Sequence, residues 1–417
     1  MNSVPELVNT YTLKNKDKPI INFELYKTEQ KILGIKESTY YINILTIHEE
    51  NTDLLPTHLQ KDLTAEKLLK WIEDRKAPKN RQFVDKILQS IEDSANPLKY
   101  VDVSHSLSLN DSLWITNDLL EHKWADFNLY DHPFDEILSY VAFTGHSQKI
   151  SGVRTSPELT SSGALKKCWS NRENGIVLIK GDDFLRRDDG RSQAVMEYYA
   201  AQIAEKMGLY YTPYDLEKFH HHSGETETVC TCPLFTSADV GLINAYDFFL
   251  KKGIDIEHES PKSLKLQAKM AEAYGIGTYC DMMVFDTLIC NQDRHLGNFG
   301  YLINNNTGEL LKPAPLYDNG FSFIVGASKY DLENIPEYIS SVSGKYLSFE
   351  TQARAFTRER HIPMLRKMQH FHFKRHDIKC PDDDIIVKME EAIRYQAKYI
   401  IKQFYKAKDG LDSPASL

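Results

Sequence analysis

Asp293, Asn298 and Asp318 fall within residues 281–320, on what reads as a helix, a loop and a hairpin. Carboxylate and amide oxygens of this kind suit a hard divalent cation and the phosphates it carries. Phosphoryl transfer asks little covalent work of a protein: one Asp to orient or accept the attacking hydroxyl, and two oxygen ligands for Mg²⁺. The elements that must deliver these residues are legible nearby. Met282, Phe285 and Ile289 recur at three and four positions, which predicts a helix over Thr278 to Cys290, ended by the polar run Asn291-Gln292-Asp293-Arg294-His295. Phe299 to Ile303 reads as a strand, Asn304 to Gly308 as a turn and Glu309 to Tyr317 as a return strand. A hairpin there brings Asp318 back beside Asp293.

Asn298 follows Asp293 by five positions, the spacing of the protein-kinase pattern H-R-D-x-x-x-x-N, and Asp318-Asn319-Gly320 stands where D-F-G would stand. The match is not literal, because His295 follows the Asp and Asn319 replaces the Phe, so another branch of the fold is indicated. Any one of these residues alone is an ordinary loop Asp or turn Asn; their combination points to a kinase-type site. The run Cys290 to Phe299, followed by Ala314-Pro315-Leu316-Tyr317-Asp318, resembles the signature of HipA-like serine/threonine kinases, bacterial enzymes of which some are toxins of toxin–antitoxin pairs. More loosely, Leu54-Leu55-Pro56, the stretch from Trp71 to Arg81 and Ser106 to Asp111 resemble the N-terminal part of a HipA-like subgroup. That part departs from the shorter N-terminal subdomain of the best-known toxins, so partner contacts do not carry over from them.

The resemblance implies an α+β, two-lobed protein-kinase-like fold: a mixed N-lobe with a β-sheet, an α-rich C-lobe, and an N-terminal α/β subdomain. It implies ATP and Mg²⁺ as cofactors, Asp293 as catalytic base or hydroxyl orienter, and Asn298 and Asp318 as metal ligands. His295 is expected to brace the loop rather than bind metal. The order Asp-Arg-His-x-x-Asn is shared with phosphoinositide kinases, whose fold is related, and leaves the substrate open.

The nucleotide side is read from weaker signals. Thr160-Ser161-Ser162-Gly163-Ala164-Leu165-Lys166-Lys167 precedes the strand Gly175 to Lys180, as a phosphate loop should, although no G-x-G-x-x-G or Walker A sequence is present. The case for Ser161, Ser162 and Gly163 rests on the resemblance and on the loop's hydroxyls, glycine and lysines; HipA-like kinases can phosphorylate themselves there, which makes Ser161 and Ser162 autophosphorylation candidates. Lys180 closes an apolar strand, where a lysine needs a partner or an opening to water, and is the candidate ATP lysine. Ser192 should cap the next helix and Gly208 end it. On that helix Glu197, Ala200, Ala201 and Ala204 share one face, so the carboxylate heads a stripe of small residues, geometry suited to the Lys–Glu pair of kinases. The bland alternative is an exposed helical Glu. Thr226 to Phe235 reads as strand and crossover, with Leu234 and Phe235 as hinge residues against adenine.

The remainder bounds the answer. The expected domains are 1–100, an N-terminal α/β subdomain; 101–240, the nucleotide-binding N-lobe with its connector; 241–408, the α-rich catalytic C-lobe; and 409–417, a flexible tail. In the first, Pro19 to Tyr26 and Ser38 to His48 read as strands, Thr64 as the N-cap of a helix carrying Leu68 and Trp71, and Phe83, Ile87, Leu88 and Ile91 as a further helix. Residues 101–150 read as a connector whose aromatics are core, and Arg358 to Arg375 as an amphipathic helix with a solvated basic face. The 417 residues are 41% hydrophobic and 26% charged, with a net charge of −9, which argues against broad nucleic-acid affinity. No run of 18 apolar residues and no signal peptide occur, so a cytoplasmic protein away from membranes is expected. The six cysteines are scattered, suggesting neither disulfides nor a zinc site, and His220 to His222 read as a turn.

From Asn319 to Tyr338 the chain offers Lys329 against Asp331, Glu333 and Glu337, a poor match for a phosphorylated headgroup. A protein substrate is therefore expected over a lipid, and a small helix-turn-helix antitoxin is the partner that a toxin of this kind would have. The other readings are a catalytically idle nucleotide-sensing or partner-binding protein on the same fold, and a lipid or small-molecule kinase.

Overall fold

The computed structural model describes residues 4–32, 35–80, 82–83, 85–86, 96, 98–117, 121–146, 156–182 and 187–410. Most of the helix expected over Phe83 to Ile91, and the tail from 411 on, lie outside them. The chain is mixed α+β and divides into two compact units, the first formed by residues 1–179, 234–243 and 302–312 and the second by 180–233, 244–301 and 313–417.

The first unit opens on an antiparallel sheet of β1 (Glu6–Asn15), β2 (Lys18–Ile32), β3 (Ile35–Ile47) and β4 (Leu113–Asn117), in the order β3-β2-β1-β4. Its register sets Leu13 opposite both Ile21 and Ile115, and Tyr11 opposite Phe23, so one face collects the apolar side chains. The helix Ala65–Asp74 covers that face with Leu68, Trp71 and Ile72, and Thr64 caps it by accepting a hydrogen bond from the Lys67 N–H. The strands expected at 19–26 and 38–48 are present. Two elements depart from expectation. β1 adds a strand ahead of them, its alternation confined to its second half, and residues 101–150 are more than a connector, since β4 pairs along β1 from Tyr11 to Asn15. The aromatics of that stretch are core as expected: Trp114, Trp124 and Phe134 pack with Leu107 and Leu109.

Further along, β5 (Lys167–Arg172) and β6 (Gly175–Lys180) are hydrogen-bonded neighbours. A small sheet of β9 (Val240–Asn244), β10 (Gly300–Asn304) and β11 (Leu310–Pro313) completes the unit in the order β11-β10-β9. The return strand is shorter than the expected 309–317, because Pro313 and Pro315 have no N–H to donate to a ladder.

The second unit takes up the chain at Lys180. The helix Gln193–Met207 is capped by Ser192, whose hydroxyl accepts from the Val195 N–H, and stops at Gly208, left-handed with φ 68°. The hairpin of β7 (Asp215–His220) and β8 (Thr226–Pro233) pairs antiparallel, with His221 to Gly224 as its turn. The helix Ile276–Leu288 is buried nearly all round. It packs against the helices Leu264–Tyr274, Phe349–Phe356 and Asp383–Lys408. Arg358 to Arg375 is less helical than expected: a 3-10 turn at Glu359–His361 leads into a short helix, Ile362–Met368, whose Ile362, Leu365 and Met368 are buried.

Candidate active site

The site is assembled on the loop after the helix Ile276–Leu288. That helix buries a carboxylate, Asp286, among apolar neighbours, and a charge so placed demands a partner. The partner is Arg294: its Nε and Nη2 donate to the two oxygens of Asp286 at 3.0 and 2.9 Å. The guanidinium's other donors reach the carbonyls of Asn298 (2.6 Å) and Tyr317 (2.8 Å) and the Asn319 side-chain oxygen (2.5 Å). All five N–H groups are thereby used, and one buried arginine ties the end of the helix, the 293–298 loop and the 317–319 segment together. Burial opposes its charge, and Asp286 more than restores it.

Asparagines set the loop's shape. Asn291 donates to Asp286 (2.9 Å) and accepts from the Asp293 N–H (3.0 Å). Asn298 donates through Nδ2 to the Asp293 carbonyl (2.8 Å), so its Oδ1 is the atom that can ligate. Asp293 itself faces outward, its side chain 40% exposed, and Lys345 donates to its Oδ1 at 2.9 Å. His295 lies 3.9 Å from the other carboxylate oxygen and accepts the Gly297 N–H, which fits a bracing role.

Asp318 arrives on an irregular segment rather than a strand. Residues 210–212 run parallel to it, the Leu316 N–H donating to the Tyr210 carbonyl and the Thr212 N–H to the Leu316 carbonyl, both at 2.9 Å. The Asp318 N–H reaches the Tyr214 hydroxyl. Asp318 adopts φ 57°, left-handed for a residue with a side chain, a conformation that costs energy and persists where the surroundings impose it. Gly320 is required for space, because a Cβ there would lie 2.5 Å from the Gln193 carbonyl oxygen.

Lys180, at the end of β6, is 6% exposed and bonds to Glu197 at 2.5 Å and Asp318 at 2.7 Å. Glu197 is fully buried and accepts the Asn319 N–H on its second oxygen, so the exposed-helix alternative for it is excluded. Burial acts against the ammonium, but the carboxylates of Asp318 and Glu197 outweigh it and hold Lys180 protonated. A carboxylate from Asp318 and an amide oxygen from Asn298 fit Mg²⁺, which keeps waters and takes further ligands from phosphates. Among the described residues no cluster of three His, Cys, Asp or Glu offers a richer metal site.

Lys180, Glu197, Asp293, Asn298 and Asp318 thus belong to one network in the second unit. Ser161, Ser162, Gly163, Leu234 and Phe235 lie in the first unit. There Ser161 is half-buried, its hydroxyl donating to the Pro157 carbonyl and accepting from Trp169 Nε1, whereas Ser162 and Gly163 are exposed. The Leu234 N–H is committed to the Ile176 carbonyl and its side chain to the Trp114 cluster. Sequence reasoning missed Asp286, Tyr214 and Lys345. A lone Asp inside an apolar helical run was a usable signal for the first; nothing local marked the other two.

No family model and no curated protein matches the sequence. Solved structures do. HipA from Shewanella oneidensis, in a complex of that toxin–antitoxin system with HipB and operator DNA, is 11% identical with a TM-score of 0.52, the match covering 96% of this chain and 99% of that one. The proinflammatory kinase CtkA of Helicobacter pylori is 17% identical with a TM-score of 0.43 over 62% of this chain and 96% of its own. The chain shares the fold of that HipA.

Proposed function

We propose that the protein is an ATP- and Mg²⁺-dependent serine/threonine protein kinase of the HipA-like type, two-lobed and acting in the cytoplasm. The observation that carries this is the buried Lys180 held between Glu197 and Asp318, the ion pair and metal carboxylate that kinases require together. Lys180 binds the nucleotide phosphates and Glu197 fixes Lys180. Ser161, Ser162, Gly163, Leu234 and Phe235 are proposed as the nucleotide-contacting residues of the first unit. Asn298 and Asp318 would hold Mg²⁺, which when bound would supply positive charge to the phosphates. Asp293 orients the substrate hydroxyl: its oxygen bonds to the γ-phosphorus as the bond from that phosphorus to the bridging oxygen breaks, ADP leaves with the electron pair, and the proton passes to the Asp293 carboxylate. Lys329 alone against Asp331, Glu333 and Glu337 favours a protein over a phosphoinositide. The HipA neighbour's complex with HipB and operator DNA suggests a small DNA-binding antitoxin as partner, with the DNA contacts on the partner.

Incubation with labelled ATP and Mg²⁺ tests the reading. Transfer to the chain itself or to lysate proteins is expected, with Asp318→Ala losing both turnover and Mg²⁺-dependent nucleotide binding. Unchanged Mg-ATP affinity in that variant would remove Asp318 as metal ligand, and Mg-ATP binding without any transfer by the unmodified protein would favour the idle, nucleotide-sensing reading. Labelling of phosphatidylinositol vesicles without labelled protein would reverse the substrate ranking.

Self-phosphorylation is expected on Ser162 before Ser161, whose hydroxyl is already engaged by Pro157 and Trp169. A phosphate there adds nearly two negative charges to the phosphate loop and should inhibit the chain. Peptide mapping after incubation with ATP checks this; no phosphate on residues 156–167 would refute it.

A further inference from the structure

Three lysine and arginine side chains pair with the site's four carboxylates, Asp286, Asp293, Glu197 and Asp318. Two of the cations already have their places, Arg294 in the fold and Lys180 at the nucleotide phosphates in the reading above. Arg294 uses all its donors within the fold, and Lys180 is buried against Glu197 and Asp318. Lys345 differs: its side chain is 46% exposed, and its partner is the outward-facing carboxylate of Asp293. The backbone that carries it is nevertheless fixed. The Tyr346 hydroxyl accepts the Leu296 N–H from within the catalytic loop. Gln352 Nε2 donates to the Leu347 carbonyl, while its Oε1 accepts from the buried Thr287 hydroxyl. A half-exposed cation on an anchored segment is therefore held at the carboxylate assigned to the substrate hydroxyl.

We propose that Lys345 is the cation that neutralises the transferring phosphoryl group: it rests on Asp293 and, when substrate hydroxyl and nucleotide are in place, donates to a non-bridging oxygen of the γ-phosphoryl. This rests on the kinase reading above. The chemistry requires the move. A hydroxyl hydrogen-bonded to Asp293 and poised on the γ-phosphorus puts phosphoryl oxygens within a few ångströms of that carboxylate, and a four-carbon side chain spans such a gap by a change of rotamer. In protein kinases a residue of the catalytic loop itself could fill this place. Here the residues between Asp293 and Asn298 provide only the committed Arg294 and His295 besides Leu296 and Gly297, so the charge comes from a segment 52 residues further on. Its partner holds Lys345 protonated, through their hydrogen bond first and their charge attraction second.

The test compares the full-length protein with Lys345→Met and Lys345→Arg in Mg²⁺ and γ-labelled ATP, counting label passed to water, to the chain and to added dephosphorylated casein. Lys345→Met should lower the transfer rate about 100-fold, the scale of removing one preorganised donor to developing charge, with Mg-ATP affinity and melting temperature unchanged. Lys345→Arg should recover much of the rate. A Met variant that transfers at the normal rate overturns the proposal, and one that transfers faster makes Lys345 a lock on Asp293 instead. Equal losses in both variants with weakened Mg-ATP binding would reduce it to a structural part. An unmodified protein without any transfer would overturn the kinase reading itself, an outcome distinct from these.

Discussion

Asp293→Asn is expected to give a folded protein that binds Mg-ATP and transfers phosphate roughly 10²–10⁴-fold more slowly. The fold tolerates the change because the carboxylate holds nothing together: it is 40% exposed and meets Lys345, 46% exposed, in a surface pair of a kind that contributes about 0–1 kcal/mol. The loop is shaped through the Asp293 backbone instead, its N–H donating to Asn291 and its carbonyl accepting from Asn298, and both bonds survive in the amide. What is lost is the proposed proton acceptor, a role worth roughly 10²–10⁴-fold in rate. Transfer slowed by that factor with an unshifted denaturation midpoint is the expected pair of measurements, and ordinary turnover by a soluble variant would remove Asp293 from the proposed mechanism.

The residues proposed to act on phosphate were legible in the sequence because their spacing is local. Asp293 and Asn298 sit five apart on one loop, and Ser192, Glu197 and Gly208 declare a helix by cap, face and stop. The strand ending on Lys180 was readable for the same reason, since a lysine closing an apolar run is an anomaly whose resolution, Glu197, lies one helix away. What stayed hidden is what depends on distant chain. Lys345 meets Asp293, and Tyr214 meets Asp318, only after the second unit is folded, and each looks like an ordinary surface lysine or strand tyrosine beforehand. β4, at Leu113–Asn117, pairs with β1 at Tyr11–Asn15, far off in sequence, a contact that no periodicity records. The left-handed Asp318 is a case of its own, for nothing about an Asp in an Asp-Asn-Gly run says that its backbone will be held there against its preference. The hydrogen bonds around it, from the Asp318 N–H to Tyr214 and from the Asn319 N–H to Glu197, show what imposes that conformation.

Asp286→Ala should be far more damaging to the fold than any change at the reacting groups. It leaves Arg294 buried, its side chain 5% exposed, with two of its five hydrogen bonds unmade, and it deprives Asn291 of its acceptor as well. Breaking a buried pair by removing one partner costs about 3–5 kcal/mol, a large part of the 5–15 kcal/mol that a typical domain has in total. The denaturation midpoint should fall sharply. The double variant Asp286→Leu with Arg294→Met separates charge from position. Replacing a buried ion pair by apolar side chains is often close to neutral, so stability should return in large part, whereas transfer should stay low, because the carbonyls of Asn298 and Tyr317 and the side chain of Asn319 have lost the group that joins them. If Asp286→Ala instead unfolds at the same denaturant concentration as the unmodified protein, the arginine is not the tie between the helix and the two loops. If the double variant recovers transfer together with stability, the loop finds its geometry without that tie, and Asn291 with the 210–214 segment must carry the positioning alone.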